Sequence, residues 1–463
     1  ILPEERQLNQ ALRSRHISLI SIGGIIGSAY FLGTGYLIHE LGPGAFLAYI
    51  LGGIITFLTM SCLSELTLAV PEKGSFINFA AKYISKSWAC GVGWSYWMTW
   101  VVYIPSECIA GGMIMNDLFP SVSPQIFAMF FGLLITLINT LHVRAFGEVE
   151  FWFAVIKITA LSAFCFVAIM VILGIWGSAA PEPVGLSLLW NKGGFFPNGV
   201  WILFLNMTIL LVNFQGSEII GLSASEAKDA SKAVPKTINH LAYRIICLYL
   251  IPTFMVAAII PWTEASLQQS VFSTALERYG FHTGAKIFMF VVLAAAISCA
   301  NSGLYACVRS IHALGQQRMA PKFFTHLNKR GVPAKATWLT LASIWAMLAL
   351  SHFFSATNLY KVLLGVSGFT GAICWISICW SQLKFRSTLQ PGHYLPYRVK
   401  GFPYTTHAGI WLQVICLIIL AFNDELRPSL YVGILAIIIP IIGYKIYYKK
   451  LRLNLRFRRR KQL

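Results

Sequence analysis

The chain has 463 residues, 57% of them hydrophobic and only 11% charged, whereas a soluble domain averages roughly 25% charged residues. Together with a mean hydropathy of +0.67, this excludes a soluble enzyme and indicates an all-α polytopic membrane protein. The net charge of +19 invites a nucleic-acid reading, which the distribution of the basic residues argues against.

In chain order the apolar stretches predict twelve transmembrane helices, at 17–38, 44–70, 88–115, 125–141, 151–176, 200–223, 241–262, 285–308, 337–353, 359–382, 408–422 and 430–448. Most are long enough for a hydrocarbon core about 30 Å thick. Arg13 and Arg15 precede an apolar run without a small-x-small cleavage site, so the first is read as a membrane helix and not as a signal peptide. The longest polar stretches, 224–240, 309–336 and 384–407, are loops, and no separate soluble domain is expected. The expected organisation is a short N-terminal segment (1–16), one transporter domain (17–448) and a basic tail (449–463).

Thirty of the 36 Lys and Arg residues fall in or beside alternate loops, which would face the cytoplasm. Lys192, Arg278, Lys286, Lys361 and Arg427 fall on the opposite side, and Lys157 lies within a span. By the positive-inside rule both termini are cytoplasmic in an inner membrane. The basic tail is expected to rest on anionic lipid, with no nucleic-acid partner. Ten cysteines, scattered singly, read as small buried hydrophobes. The ten histidines form no i, i+4 pair, so neither a metal nor another cofactor is expected.

Two spans carry internal interruptions five helices apart. The first has glycines at 23, 24, 27, 33 and 35, and the sixth reads Val212-Asn-Phe-Gln-Gly-Ser-Glu218. Such interruptions in corresponding spans point to broken helices 1 and 6 in a 5+5 inverted repeat, about 17–176 against 200–383, with extra helices at about 408–448. Close helix packing through Gly23 and Gly27 is the plainer alternative. Freed amides at a break can hold a carboxylate and freed carbonyls an ammonium group, a combination suited to the backbone of a free α-amino acid.

Glu107, Glu150, Lys157 and Glu218 lie in or at the ends of spans. Intramembrane charges are costly and mark substrate or ion paths. Glu150 and Lys157, seven apart, share a helix face, and a structural Glu107–Lys157 ion pair is the alternative to a coupling role. Phe214 is either a lid over substrate or ordinary core. Glu65 and Glu226 are expected to make surface or gating contacts and are read as structural.

The chain resembles bacterial amino-acid permeases of the amino acid–polyamine–organocation superfamily, the amino acid transporter subfamily in particular. The resemblance rests on Ile22-Gly-Gly-Ile-Ile-Gly27, Pro71-Glu-Lys-Gly-Ser-Phe76, Gly147-Glu-Val-Glu-Phe-Trp-Phe-Ala-Val-Ile-Lys157, Phe214-Gln-Gly-Ser-Glu218 and Asn301-Ser-Gly-Leu-Tyr305. It implies a LeuT-like fold and proton-coupled uptake. It also implies substrate binding by Ile22, Gly23, Gly24, Ile25, Gly27, Ser28, Glu107, Phe214, Gln215, Gly216 and Ser217, and proton coupling through Lys157, Glu107 or Glu218. Glu150, Tyr30, Asn301 and Ser302 are given gating or structural roles. Ala29 and Tyr30 depart from the family's usual pattern and alter the wall beside the site. The overall look is closest to arginine, ornithine and lysine permeases. The expected partners are an amino-acid substrate and protons. An exchanger, a symporter for neutral or aromatic amino acids, and a transport-inactive sensor are the alternatives; no nucleophile–base pair suggests an enzyme.

Overall fold

The computed structural model describes residues 26–70, 76–139, 143–177, 185–219, 230–328, 332–390 and 392–460. Among the described residues the secondary structure is helical, with no strand. Helices α1 (Ser28–Phe31) and α2 (Gly33–Leu41) are one run in practice, because Leu32 between them keeps helical dihedrals. Gly42, at φ +85, ends the run in a conformation that side chains disfavour. There follow α3 (Ala45–Ala69), α4 (Phe76–Tyr83), α5 (Lys86–Leu118), α6 (Pro124–Ile138) and α7 (Val143–Ile172). Ser85 opens α5 by accepting a hydrogen bond from the Trp88 amide, and Pro124 occupies the first turn of α6, where its missing N–H costs nothing.

The second half contains the short helices α8 (Trp201–Leu205) and α9 (Met207–Val212), then α10 (Ala230–Arg244) and α11 (Ile251–Ile259), which a π-helical stretch, Ile245–Leu250, joins. After α12 (Val271–Arg278) come α13 (His282–Gln316), α14 (Ala334–Leu350), α15 (Ala356–Ser387), α16 (Tyr404–Ile419) and α17 (Arg427–Arg460).

Among the described residues, nine helices are long and apolar enough to cross a membrane. They coincide with nine of the twelve expected spans. Shorter helices occupy the described parts of the other three: 28–41, 124–138 and 201–212. The outward faces are apolar, as Trp152, Ile156 and Phe166 on α7 and Ile438, Ile439 and Ile442 on α17 illustrate. Apolar surface on that scale marks a face for lipid.

The interior is built on α5, which packs most extensively against α13 and α15. Eight of the ten cysteines are buried as expected, but Cys165 is half-buried and Cys247 exposed, and none is paired.

Glu65, expected at the surface or a gate, is instead fully buried at the end of α3. It accepts hydrogen bonds from Gln382 Nε2 (2.9 Å), Arg386 Nε (2.5 Å) and Nη2 (2.9 Å), and the Val399 amide (2.6 Å). One carboxylate thus ties α3 to α15 and to the segment beyond it. Arg386→Ala strips the main counter-charge from a buried anion, and removing one partner of a buried pair costs about 3–5 kcal/mol. We expect a clear fall in unfolding temperature in detergent, larger than for Arg398→Ala, which loses only an exposed contact to the His393 carbonyl. Glu226 lies outside the described residues.

Candidate functional site

Two departures from regular helix are buried in the interior. At the first, Gly27 is extended (φ −115°, ψ −164°) and α1 starts at Ser28. The Ser28 amide donates to Glu107 Oε2 at 3.0 Å, and the Ser28 hydroxyl pairs with the Tyr360 hydroxyl at 2.9 Å. Glycine is needed at 27 for space. A methyl group there would lie 2.5 Å from the Tyr103 hydroxyl, 2.6 Å from Glu107 Oε1 and 2.9 Å from Cys299 Cβ. Ile22, Gly23, Gly24 and Ile25 lie outside the described residues.

Lys157 is completely buried on α7 and donates to the Ile26 carbonyl at 3.1 Å and to Ser298 Oγ on α13 at 3.0 Å. Glu107 and Lys157 form no direct salt bridge; the lysine takes the Ile26 carbonyl and Glu107 the Ser28 amide, on either side of Gly27. Glu107 Oε1 is buried beside the Tyr103 hydroxyl without a well-formed hydrogen bond. Such an unsatisfied acceptor costs about 1–3 kcal/mol or more, so it is the natural place for a proton or a cationic donor.

At the second departure α9 stops at Val212, four residues turn, and helix resumes at Ser217. Gly216 sits at φ +95, which only glycine adopts readily. Glu218 closes the turn. Its Oε1 accepts from the Tyr96 hydroxyl (3.0 Å), its Oε2 from Trp375 Nε1 (3.1 Å), and both lie within 3.1 Å of the Gly216 amide. Phe214 is fully buried, edge-on to Tyr249 and Tyr49. Gln215 turns toward α15, where its Nε2 donates to the Ser367 carbonyl and its Oε1 accepts from the Ser367 hydroxyl. Ser217 Oγ donates to the Phe214 carbonyl and accepts from Arg244 Nη2.

Tyr30 lies in the wall between these regions, 4.8 Å from the Tyr249 ring, with its hydroxyl donating to the Tyr249 carbonyl and paired with Thr253 Oγ1. Glu150 is buried beyond Lys157 and accepts from Ser298 Oγ (2.6 Å), Asn301 Nδ2 (3.3 Å) and Ser302 Oγ (3.4 Å).

Sequence reasoning missed three participants. Arg244 stands at the mouth of the seventh span, where it counts as a loop charge, yet it is buried against Ser217. Tyr249 donates to the Asn213 carbonyl at 2.7 Å and so supports the second break. Ser298 links Lys157 to Glu150. Arg244 and Tyr249 flank or occupy the π-helical stretch, a feature that clusters at functional sites but has no sequence signature here. Among the described residues no group of three His, Cys, Asp or Glu could hold a metal ion.

A profile of the amino acid permease family matches residues 16–456. The chain belongs to this family, within the amino acid–polyamine–organocation superfamily. It is 36% identical to the amino-acid permease RocE of Bacillus subtilis, with 96% of each chain covered. It is 33% identical to the lysine-specific permease LysP of Escherichia coli, over 95% of this chain and 94% of the relative. The gamma-aminobutyric acid permease of Bacillus subtilis is likewise 33% identical, over 96% of this chain and 94% of its own. Amino-acid transport across a membrane is therefore the activity of this permease, and the two departures in its interior are the candidate substrate site.

Proposed function

We propose that this permease imports α-amino acids by proton-coupled alternating access, with a cationic amino acid such as arginine, ornithine or lysine as its substrate. The observation that carries the reading is Glu107. It is a buried carboxylate with one oxygen on the Ser28 amide and the other beside the Tyr103 hydroxyl without a well-formed hydrogen bond, next to an Ile26 carbonyl that Lys157 holds. A substrate carboxylate would meet the amides at the first break. Its ammonium would meet freed carbonyls of both breaks, and a cationic side chain would meet Glu107. Substrate contacts are assigned to Ile22–Ile25, Gly27, Ser28, Glu107 and the backbone of 214–217, with Phe214 covering the site.

Lys157 and Glu107 are assigned to proton coupling. Glu218, held by three donors, is assigned to fixing the second break. The reading includes twelve spans in a 5+5 inverted repeat with two further helices, both termini cytoplasmic in an inner membrane, and the tail at 449–463 against anionic lipid. Similarity to a gamma-aminobutyric acid permease supports a second reading, the same symport of a neutral zwitterion. Uptake of labelled arginine into proteoliposomes under an inward proton gradient, challenged with a panel of unlabelled amino acids, separates them. Gradient-driven accumulation blocked by lysine and ornithine is the expected result. Block by neutral amino acids alone points to the second reading, and uptake that needs internal amino acid and ignores the gradient points to an exchanger.

A further inference from the structure

Beyond Lys157 the polar groups continue in one direction. Lys157 Nζ donates to Ser298 Oγ at 3.0 Å, and Ser298 Oγ donates to Glu150 Oε2 at 2.6 Å. Glu150 then meets Asn301 Nδ2 and Ser302 Oγ, and Asn301 Oδ1 accepts from Asn139 Nδ2 at 2.8 Å. Asn139 ends α6, on the side that the basic loops assign to the cytoplasm. Lys157, Ser298 and Glu150 are all completely buried in a helical interior where an isolated charge is costly. A lone structural counter-ion for Lys157 would gain most from direct contact; here a hydroxyl stands between cation and anion, bonded to both. A hydroxyl so placed can accept one proton while releasing another.

We propose that Glu150 is the proton acceptor on the inward side of Lys157, reached through Ser298. The inference rests on the proton-coupled reading of the site. In the step, an N–H bond of the Lys157 ammonium breaks as an O–H bond forms on Ser298. The original Ser298 O–H bond breaks as an O–H bond forms on Glu150. An ammonium–carboxylate pair becomes an amine and a carboxylic acid, with total charge unchanged. Glu150 then yields its proton past Ser302 toward the Asn139 end, and its carboxylate is restored. Apart from the pair itself, the titratable groups that face it among the described residues are Glu107 from α5 and Cys299 from α13. Helix α11, also packed on α7, carries none. The acceptor is therefore the carboxylate already bonded to the serine.

Glu150→Gln tests this in the full chain, reconstituted in liposomes that enclose a pH-sensitive dye. Glutamine keeps an oxygen that can accept from Ser298, but it cannot take up the proton. The probe is whichever of labelled arginine, histidine or gamma-aminobutyrate the wild type accumulates. We expect Glu150→Gln and Ser298→Ala to retain substrate exchange within about threefold of wild type. They lose substrate-induced proton influx and at least about tenfold in gradient-driven accumulation, and Ser298→Thr restores both. Wild-type proton influx in Glu150→Gln or in Ser298→Ala overturns the relay and leaves the coupled reading standing. Exchange lost together with accumulation, with no rescue by Ser298→Thr, makes the cluster structural and also overturns it. If Glu150→Gln fails to fold, the Ser298 pair decides. A wild type that accumulates none of the three probes under the gradient overturns both the coupled reading and the relay.

Discussion

Lys157→Ala is expected to abolish gradient-driven accumulation, bringing the internal-to-external substrate ratio to one, while substrate exchange remains measurable. The lysine bridges the Ile26 carbonyl beside Gly27 and Ser298 on α13, and its charge strengthens both hydrogen bonds. Deprotonation leaves two N–H donors and a lone pair, with neither remaining donor charge-assisted, so on the proposed coupled reading both contacts weaken. Alanine removes the titrating group that the proposed reading assigns to coupling. Deleting a donor from two buried acceptors costs about 1–3 kcal/mol each, offset by no longer burying a cation, so the protein should still fold.

Lys157→Arg separates a fixed charge from a titrating one. Arginine stays protonated in proteins, so it keeps the cation and loses the switch. If Lys157 works by titrating, Lys157→Arg is as inactive in accumulation as Lys157→Ala. Restored accumulation in the arginine variant assigns a fixed electrostatic role instead. The pair is read by labelled uptake with and without the gradient, alongside counterflow exchange in the same vesicles.

The apolar run lengths that predict the spans reappear as the nine long helices because hydropathy over some twenty residues is a local property. The second interruption was legible for the same reason. Gly216 supplies the positive φ and Glu218 the nearby acceptor, both within one turn of sequence. What surrounds them was not. Tyr96 and Trp375 reach Glu218 from α5 and α15, 122 and 157 positions away in the chain, and no spacing rule encodes such a meeting. Arg244 misleads for a related reason. At the edge of a hydrophobic stretch it has the signature of an interfacial cation, and only the π-helical continuation and the packing of α10 against α3 show it buried against Ser217. The side-chain direction of Gln215 was equally illegible: Gly371, with no side chain, leaves room for it against α15. A methyl group there would lie 1.9 Å from its Nε2.

Glu107→Gln is expected to raise the KM for arginine about tenfold or more while leaving neutral competitors nearly unchanged. The carboxylate does two things in this geometry. Oε2 holds the start of α1 through the Ser28 amide, and glutamine can do that through its own carbonyl oxygen, at roughly half the strength of the charged bond. Oε1 has no well-formed hydrogen bond, and glutamine offers a cation no charge from that position. Tenfold corresponds to about 1.4 kcal/mol, the scale of one charge-assisted hydrogen bond lost from a buried site. Gly27→Ala tests the same geometry from the other side. Its new methyl group would displace Glu107 and Tyr103 from the break, so uptake of cationic and neutral substrates should fall together. The two variants are read against one competition panel. Selective loss of the cationic amino acids in Glu107→Gln, with uniform loss in Gly27→Ala, assigns Glu107 to the substrate side chain. Uniform loss in both means that the carboxylate serves the backbone of the break and that selectivity lies elsewhere in the pocket.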